Sequence, residues 1–127
     1  MDRNKIIIST CLKDTWVDSK EAFFTGEWCI NYKEKIPYKK FFIEKDLFKD
    51  RKSLYNDYVY LTKLYNKILS SFSATLNKHH GIKRSEKFWG IFFGLWLRNF
   101  LEVAYVHYHK ISKIFSVHNP SFSIRRK

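Results

Sequence analysis

From Asp50 onward, Leu54, Tyr58, Leu61, Tyr65, Ile68, Phe72 and Leu76 recur at spacings of three and four, the period that lays apolar side chains along one stripe of an α-helix. Asp50 is a favourable N-cap and Gly81 is placed to end the helix in a left-handed conformation, so a long helix is predicted from there to about His79. Ser85 then caps a second predicted helix, "EKFWGIFFGLWLRNFLEVAYVHYHKISKIF", running to about Phe115. Around Phe88 to Leu97 this helix is apolar on nearly every side, which predicts cover by protein on more than one face. The first helix supplies one side as an antiparallel partner across the short "HHGIKR" connection, and strands are expected on another. Gly90 and Gly94 lie four apart on one face, where each weakens helix propensity; close approach by a neighbouring element is the expected compensation.

The N-terminal part follows a different pattern. Lys5 to Thr10 is β-branched, short and bounded by polar residues, and reads as a buried strand; Ala22 to Thr25, ended by Gly26, reads as a second. The eleven residues "CLKDTWVDSKE" between them are close to the lower limit for a parallel crossover. Pro37 restricts Ile36 to extended geometry, so residues 31–50 read as a connection holding one short strand at Lys40 to Ile43. The predicted class is α/β and helix-dominated: two or three short strands packed by a long antiparallel helical hairpin, as a partial Rossmann-like N-terminal domain. One domain is expected over residues 1–118, with residues 119–127 as a basic tail or linker that holds Pro120 and ends "IRRK".

Composition narrows the classes. With 127 residues and 45% hydrophobic content the chain can bury one core. Four glycines and two prolines argue against a barrel or sandwich of many short strands. Twenty-four Lys and Arg against 12 Asp and Glu leave a net charge of +12, which favours phosphorylated ligands, polyanions or anionic lipid surfaces without choosing among them. No nucleic-acid-binding motif is present and the basic residues do not gather on one helix face, so a nucleic-acid partner is not expected. Cys11 and Cys29 match no metal or redox spacing, and the N-terminus lacks the features of a signal peptide; a reducing cytoplasm is the expected location. The most membrane-like window, Phe88 to Val106, is interrupted by Arg98 and Glu102, and its uncharged part is about half of the roughly 20 residues a span needs. Peripheral contact with the inner membrane stays open, since basic charge and exposed aromatics both favour it.

Candidate chemistry is concentrated in the loops. Ligands of open α/β sheets bind beyond the carboxyl ends of the strands, which directs attention to Thr10 with "TCLKDTW" and to Gly26 with "EWC". Gly26 would allow a close backbone turn, Glu27 would accept hydrogen bonds from sugar or ribose hydroxyls, and Trp28 would stack on a ring face. The competing structural reading puts Trp28 in the core, pairs Glu27 with a lysine and makes Cys29 a small buried apolar residue. His107 and His109 are two apart and point to different sides of a helix, so no metal site is expected; His79 and His80 suit the end of the first helix, where positive charge meets the dipole. A Walker loop, a G-x-G-x-x-G pattern and a G-x-S-x-G elbow are all absent.

At "TCLKDTW", "FFTGEWC", "DRKSLYNDYVYL" and "HHGIKRSEKFWGIFFGLWL" the chain resembles the N-terminal region of a transferase family encoded with bacterial surface-polysaccharide genes. The resemblance covers most of residues 5–100. It implies a longer protein whose later portion looks like a nucleotide-sugar-dependent glycosyltransferase with two Rossmann-like halves, and so a nucleotide-sugar donor for the full-length protein, with no cofactor held by this chain. The positions it singles out are Thr15, Trp16, Gly26, Glu27, Trp28, Cys29, His80, Gly81, Ser85, Trp89, Gly94 and Trp96. Glu27 and Trp28 are then expected as acceptor-sugar contacts and His80 as a proton-transfer or phosphate-facing group. The sequence departs from the family pattern at Leu95, where the family has proline, which predicts a straighter helix here.

Overall fold

The computed structural model describes residues 5–45 and 50–118; the expected tail, 119–127, lies outside them. The elements follow in the order β1 (Lys5–Ile8), β2 (Glu21–Phe24), β3 (Lys40–Ile43), α1 (Arg51–His80) and α2 (Glu86–His118). The chain gathers into two compact units, residues 1–47 with 107–127 and residues 48–106, so α2 contributes its last turns to one unit and the rest of its length to the other.

In the first unit the three strands form a parallel sheet in the order β1-β2-β3, with Ala22 paired to Ile6 on one side and Phe41 on the other, and Phe24 paired to Ile8 and Ile43. Ala22, Phe23 and Phe24 of the central strand are all buried, as a strand covered on both faces requires. On one face Ile6, Ile8, Ala22 and Phe24 pack with Ile30 and Tyr38 from the second crossover, and Trp16 from the first joins them. Loops here do what helices do in a longer βαβ unit: Trp16 meets Phe24 edge-on at 5.4 Å, and the Tyr38 hydroxyl donates to the Val17 carbonyl at 2.9 Å. Burial pushes the Tyr38 phenol above its ordinary pKa. On the other face the last turns of α2 close over Phe23, where His118 stacks at 4.5 Å. Lys110, Ile114 and His118 recur every four residues, which is why one helical face brings all three to the sheet. Glu21 and Lys40, paired in register, also share a salt bridge at 2.7 Å; the Lys40 hydrogen bond holds the Glu21 carboxyl below its ordinary pKa.

In the second unit α1 and the greater part of α2 form the expected antiparallel hairpin. The Asp50 side chain accepts from the Ser53 amide at 2.7 Å, and Gly81 adopts φ +64 just past the last turn. Ser85 receives the Phe88 amide at 3.2 Å. Leu61, Leu69, Leu97 and Leu101 are the buried seam between the helices. Both helical glycines face α1: a Cβ at Gly90 would touch Leu69 at 3.4 Å, and one at Gly94 would come within 2.6 Å of the Tyr65 hydroxyl. Asn77 fastens the connection, donating to the Arg84 carbonyl at 2.8 Å while its side-chain oxygen accepts from the Arg84 amide at 3.0 Å and the Trp89 indole at 2.9 Å.

One expectation is corrected. Residues Phe88 to Leu97 are not covered on more than one face: Trp89, Gly94 and Leu97 are buried toward α1, whereas Ile91 is 76% and Leu95 78% exposed. A two-helix hairpin has one seam, so it hides one stripe of an all-round apolar helix and leaves the other bare.

The caps set the ends of α1. Gly81→Ala has open space but a left-handed backbone, and should lower stability by about 1 kcal/mol; Asp50→Ala should cost about 1 kcal/mol through the lost cap. Urea denaturation followed by circular dichroism measures both, and unchanged midpoints would show that neither cap holds the helix.

Candidate functional site

Parallel strands end together, so Thr10 beyond β1, Thr25 to Trp28 beyond β2 and Glu44 beyond β3 share the carboxyl edge of the sheet. The ladder is extended there: the Thr25 amide donates to the Ile8 carbonyl at 2.9 Å and the Glu44 amide to that of Phe24 at 2.9 Å. Thr25 and Cys29 are buried, and the Thr25 hydroxyl at 3.3 Å and the Cys29 thiol at 3.5 Å both donate to the Ile8 carbonyl. This polar knot fixes the short 3-10 turn Glu27–Cys29 to the end of β1. Two lysines of α2 reach the same edge, Lys113 bonded to Glu44 and Lys110 at the Trp28 ring.

The glycine at 26 has a reason different from the expected one. Its backbone is fully extended (φ 178, ψ 172), a conformation open to any residue. A Cβ there, however, would lie 2.1, 2.4 and 2.4 Å from three consecutive carbons of the Trp28 six-membered ring. Near-equal distances put that point over the ring face and not at its rim, so the indole lies flat on the Gly26 Cα. Lys110, only 2% exposed, places its ammonium 4.4 Å from the Trp28 ring centroid, and His107 meets the ring edge-on at 5.2 Å. The π face of an indole attracts a cation, so this contact ties the ring to the Lys110 side chain. Trp28 is therefore held in one orientation while 44% of it stays exposed. Beside it, Glu27 is exposed, and its carboxylate has no hydrogen-bond or ion-pair partner among the described residues.

The other predicted positions divide. Thr10, Thr15 and Trp16 hold their own loop together: the Thr10 carbonyl accepts from the Trp16 indole at 3.0 Å, its hydroxyl from the Leu12 amide at 2.9 Å, and the Thr15 hydroxyl donates to the Leu12 carbonyl at 2.6 Å. His80, Gly81, Ser85, Trp89, Gly94 and Trp96 belong to the helical unit. His80 is exposed and stacks on Trp89 at 6.0 Å; Trp89 is buried against α1, whereas Trp96 is exposed and stacked on Phe100 at 5.5 Å. The sequence pattern did not mark Lys110, and it weighed His107 only as a metal ligand. A lysine four residues before a buried isoleucine, in an apolar stripe, was the signal for the first.

The helical unit has a groove of its own, about 250 Å³ and largely apolar, walled by Leu54, Tyr58 and Leu61 of α1 and by Arg98 and Tyr105 of α2. Arg98 lies 5.3 Å over the Tyr58 ring, bonds Glu102 at 2.7 Å and reaches the Thr62 hydroxyl at 3.1 Å. The Tyr105 hydroxyl donates to Asp57 at 2.6 Å; burial, and after it this bond, pushes the Tyr105 phenol up to about 12. Among the described residues no group of three or more His, Cys, Asp or Glu side chains is placed to hold a metal ion.

A family model described as "LIC12162 family transferase" matches residues 5–126, and the chain belongs to that family. No curated protein and no solved structure matches.

Gly26→Ala should destabilise the chain by about 1 to 3 kcal/mol through overpacking, and adding Trp28→Ala should remove most of that cost; denaturation of the single and double variants reads it, and additive losses would dismiss the Gly26–Trp28 contact. For Tyr105, raised from 10.0 to about 12, the folded state binds more protons than the unfolded one between those values. Its share of stability is intact below pH 10 and lost as pH rises toward 12. Asp57→Asn should lower the Tyr105 midpoint in an ultraviolet difference titration against Tyr105→Phe; an unmoved midpoint would leave burial as the whole cause.

Proposed function

We propose, from its membership of the LIC12162 transferase family, that the chain supplies acceptor-sugar binding to a nucleotide-sugar-dependent transferase of bacterial surface-polysaccharide biosynthesis. The observation that carries this reading is an exposed Glu27 carboxylate, without a partner among the described residues, beside a fixed, half-exposed Trp28 at the carboxyl edge of a parallel sheet.

The chemistry of that pair suits a sugar. Pyranose rings present C–H groups on one face and hydroxyls around the rim, so an indole takes the face while a carboxylate accepts from the hydroxyls. Because Gly26 and Lys110 immobilise the indole, little side-chain freedom would be lost on binding. His80 lies in the helical unit, and the reading does not draw on it.

The test is titration of the chain with neutral oligosaccharides and, separately, with nucleotide sugars, followed by tryptophan fluorescence and NMR. Oligosaccharides should bind, and Trp28→Ala and Glu27→Ala should each weaken binding roughly tenfold, the loss expected for one stacking contact or one charged hydrogen bond. Equal binding by the unchanged chain and both variants, or no binding by any, would retire the proposal.

A further inference from the structure

We propose that the outward face of α2, between Ile91 and Val103, seats in the headgroup region of an anionic phospholipid bilayer. The inference rests on the helical unit alone and is independent of the sugar-binding reading.

Ile91, Phe92, Leu95, Trp96, Phe100 and Val103 are all more than half exposed. At ordinary side-chain areas they bare on the order of 800 Å², above the few hundred Å² typical of a monomer's largest apolar patch. From Phe88 to Leu97 no Asp, Glu, Lys or Arg interrupts the helix. The patch is chemically an interfacial one: leucine, isoleucine and phenylalanine surround an indole, Trp96, stacked on Phe100.

Charge selects the occupant. Residues 50–106 carry nine Lys and Arg against four Asp and Glu. Basic groups stand at the N-terminal margin of the patch, where the Arg84 guanidinium lies 5.2 Å over the Phe88 ring and Lys87 is exposed beside it. A second copy of the chain would bring the same net charge of +12 against this one and be repelled, whereas an anionic surface is attracted by it. Crossing the bilayer is not the mode: among the described residues no helix is long and apolar enough. The helix lies along the surface, with its apolar side down and its basic margin at the phosphates.

Co-sedimentation of the chain with phosphatidylglycerol-containing vesicles and with pure phosphatidylcholine vesicles, at low and high salt, tests this. The chain should pellet with the anionic vesicles, and added salt should release it as the charges are screened. Leu95→Glu, at a site already exposed, should keep the helical circular-dichroism spectrum and weaken binding about tenfold, the scale of one leucine's burial. Tyr32→Glu makes the same charge change on an exposed residue of the sheet unit and should leave binding near that of the unchanged chain. Absence of pelleting at low salt overturns the proposal, as does equal loss from both substitutions. A self-associating chain in analytical ultracentrifugation that Leu95→Glu renders monomeric, with no vesicle binding, would give the face to a second copy instead.

Discussion

Two-sided burial of β2 is the constraint on which the sheet unit depends. Four residues, Glu21 to Phe24, make too short a strand to hold a parallel sheet by backbone bonds alone, and Ala22, Phe23 and Phe24 gain their stability by leaving water on both faces. Two consequences follow from the alternation of side chains along a strand. Phe24 needs the loop aromatics Trp16 and Tyr38, so the crossovers cannot be loose. Phe23 needs a lid on the opposite face, and the end of α2 provides it through His118 and the buried turn above.

That lid is also what completes the carboxyl edge. When α2 packs its Lys110–Ile114–His118 stripe on the sheet, it delivers an ammonium and an imidazole to the loop that follows β2. The indole of Trp28 then has Gly26 beneath it and a buried cation near its centroid, and the adjoining Glu27 is left facing solvent. Packing and candidate chemistry are thus the same event: the helix that covers Phe23 also places Lys110 and His107 against the Trp28 ring. The hairpin unit follows a different logic. Its single seam of leucines satisfies one stripe of each helix, with Asn77 joining the connection, while the opposite side of α2 stays apolar and bare.

Much of this was legible along the chain. The three-four spacing from Leu54 to Leu76, the Asp50 cap, the Gly81 stop and the Ser85 start gave both helices nearly to their ends, because caps and periodicity act over a few residues. Short β-branched and aromatic runs gave all three strands. Gly90 and Gly94 pointed correctly to close approach, which α1 makes. Cover for Phe88 to Leu97 was misjudged, since an apolar segment states that burial is favourable and not what supplies it.

The amino-acid sequence by itself determined which segments are helix and which are strand, where each stops to within about three residues, and that Thr10 and the Gly26–Cys29 turn follow consecutive strands; these are local matters of side-chain period, backbone dihedrals and capping. Only the tertiary structure decided that Gly26 is required by the Trp28 ring and not by its own backbone conformation, that Lys110 sits buried at that ring, and that Thr15 is spent on its own loop and Trp16 on that loop and the sheet core. The physical reason is separation along the chain: Trp28 and Lys110 are 82 positions apart, and nothing in the local rules of either segment registers the other until both are pressed against the same sheet.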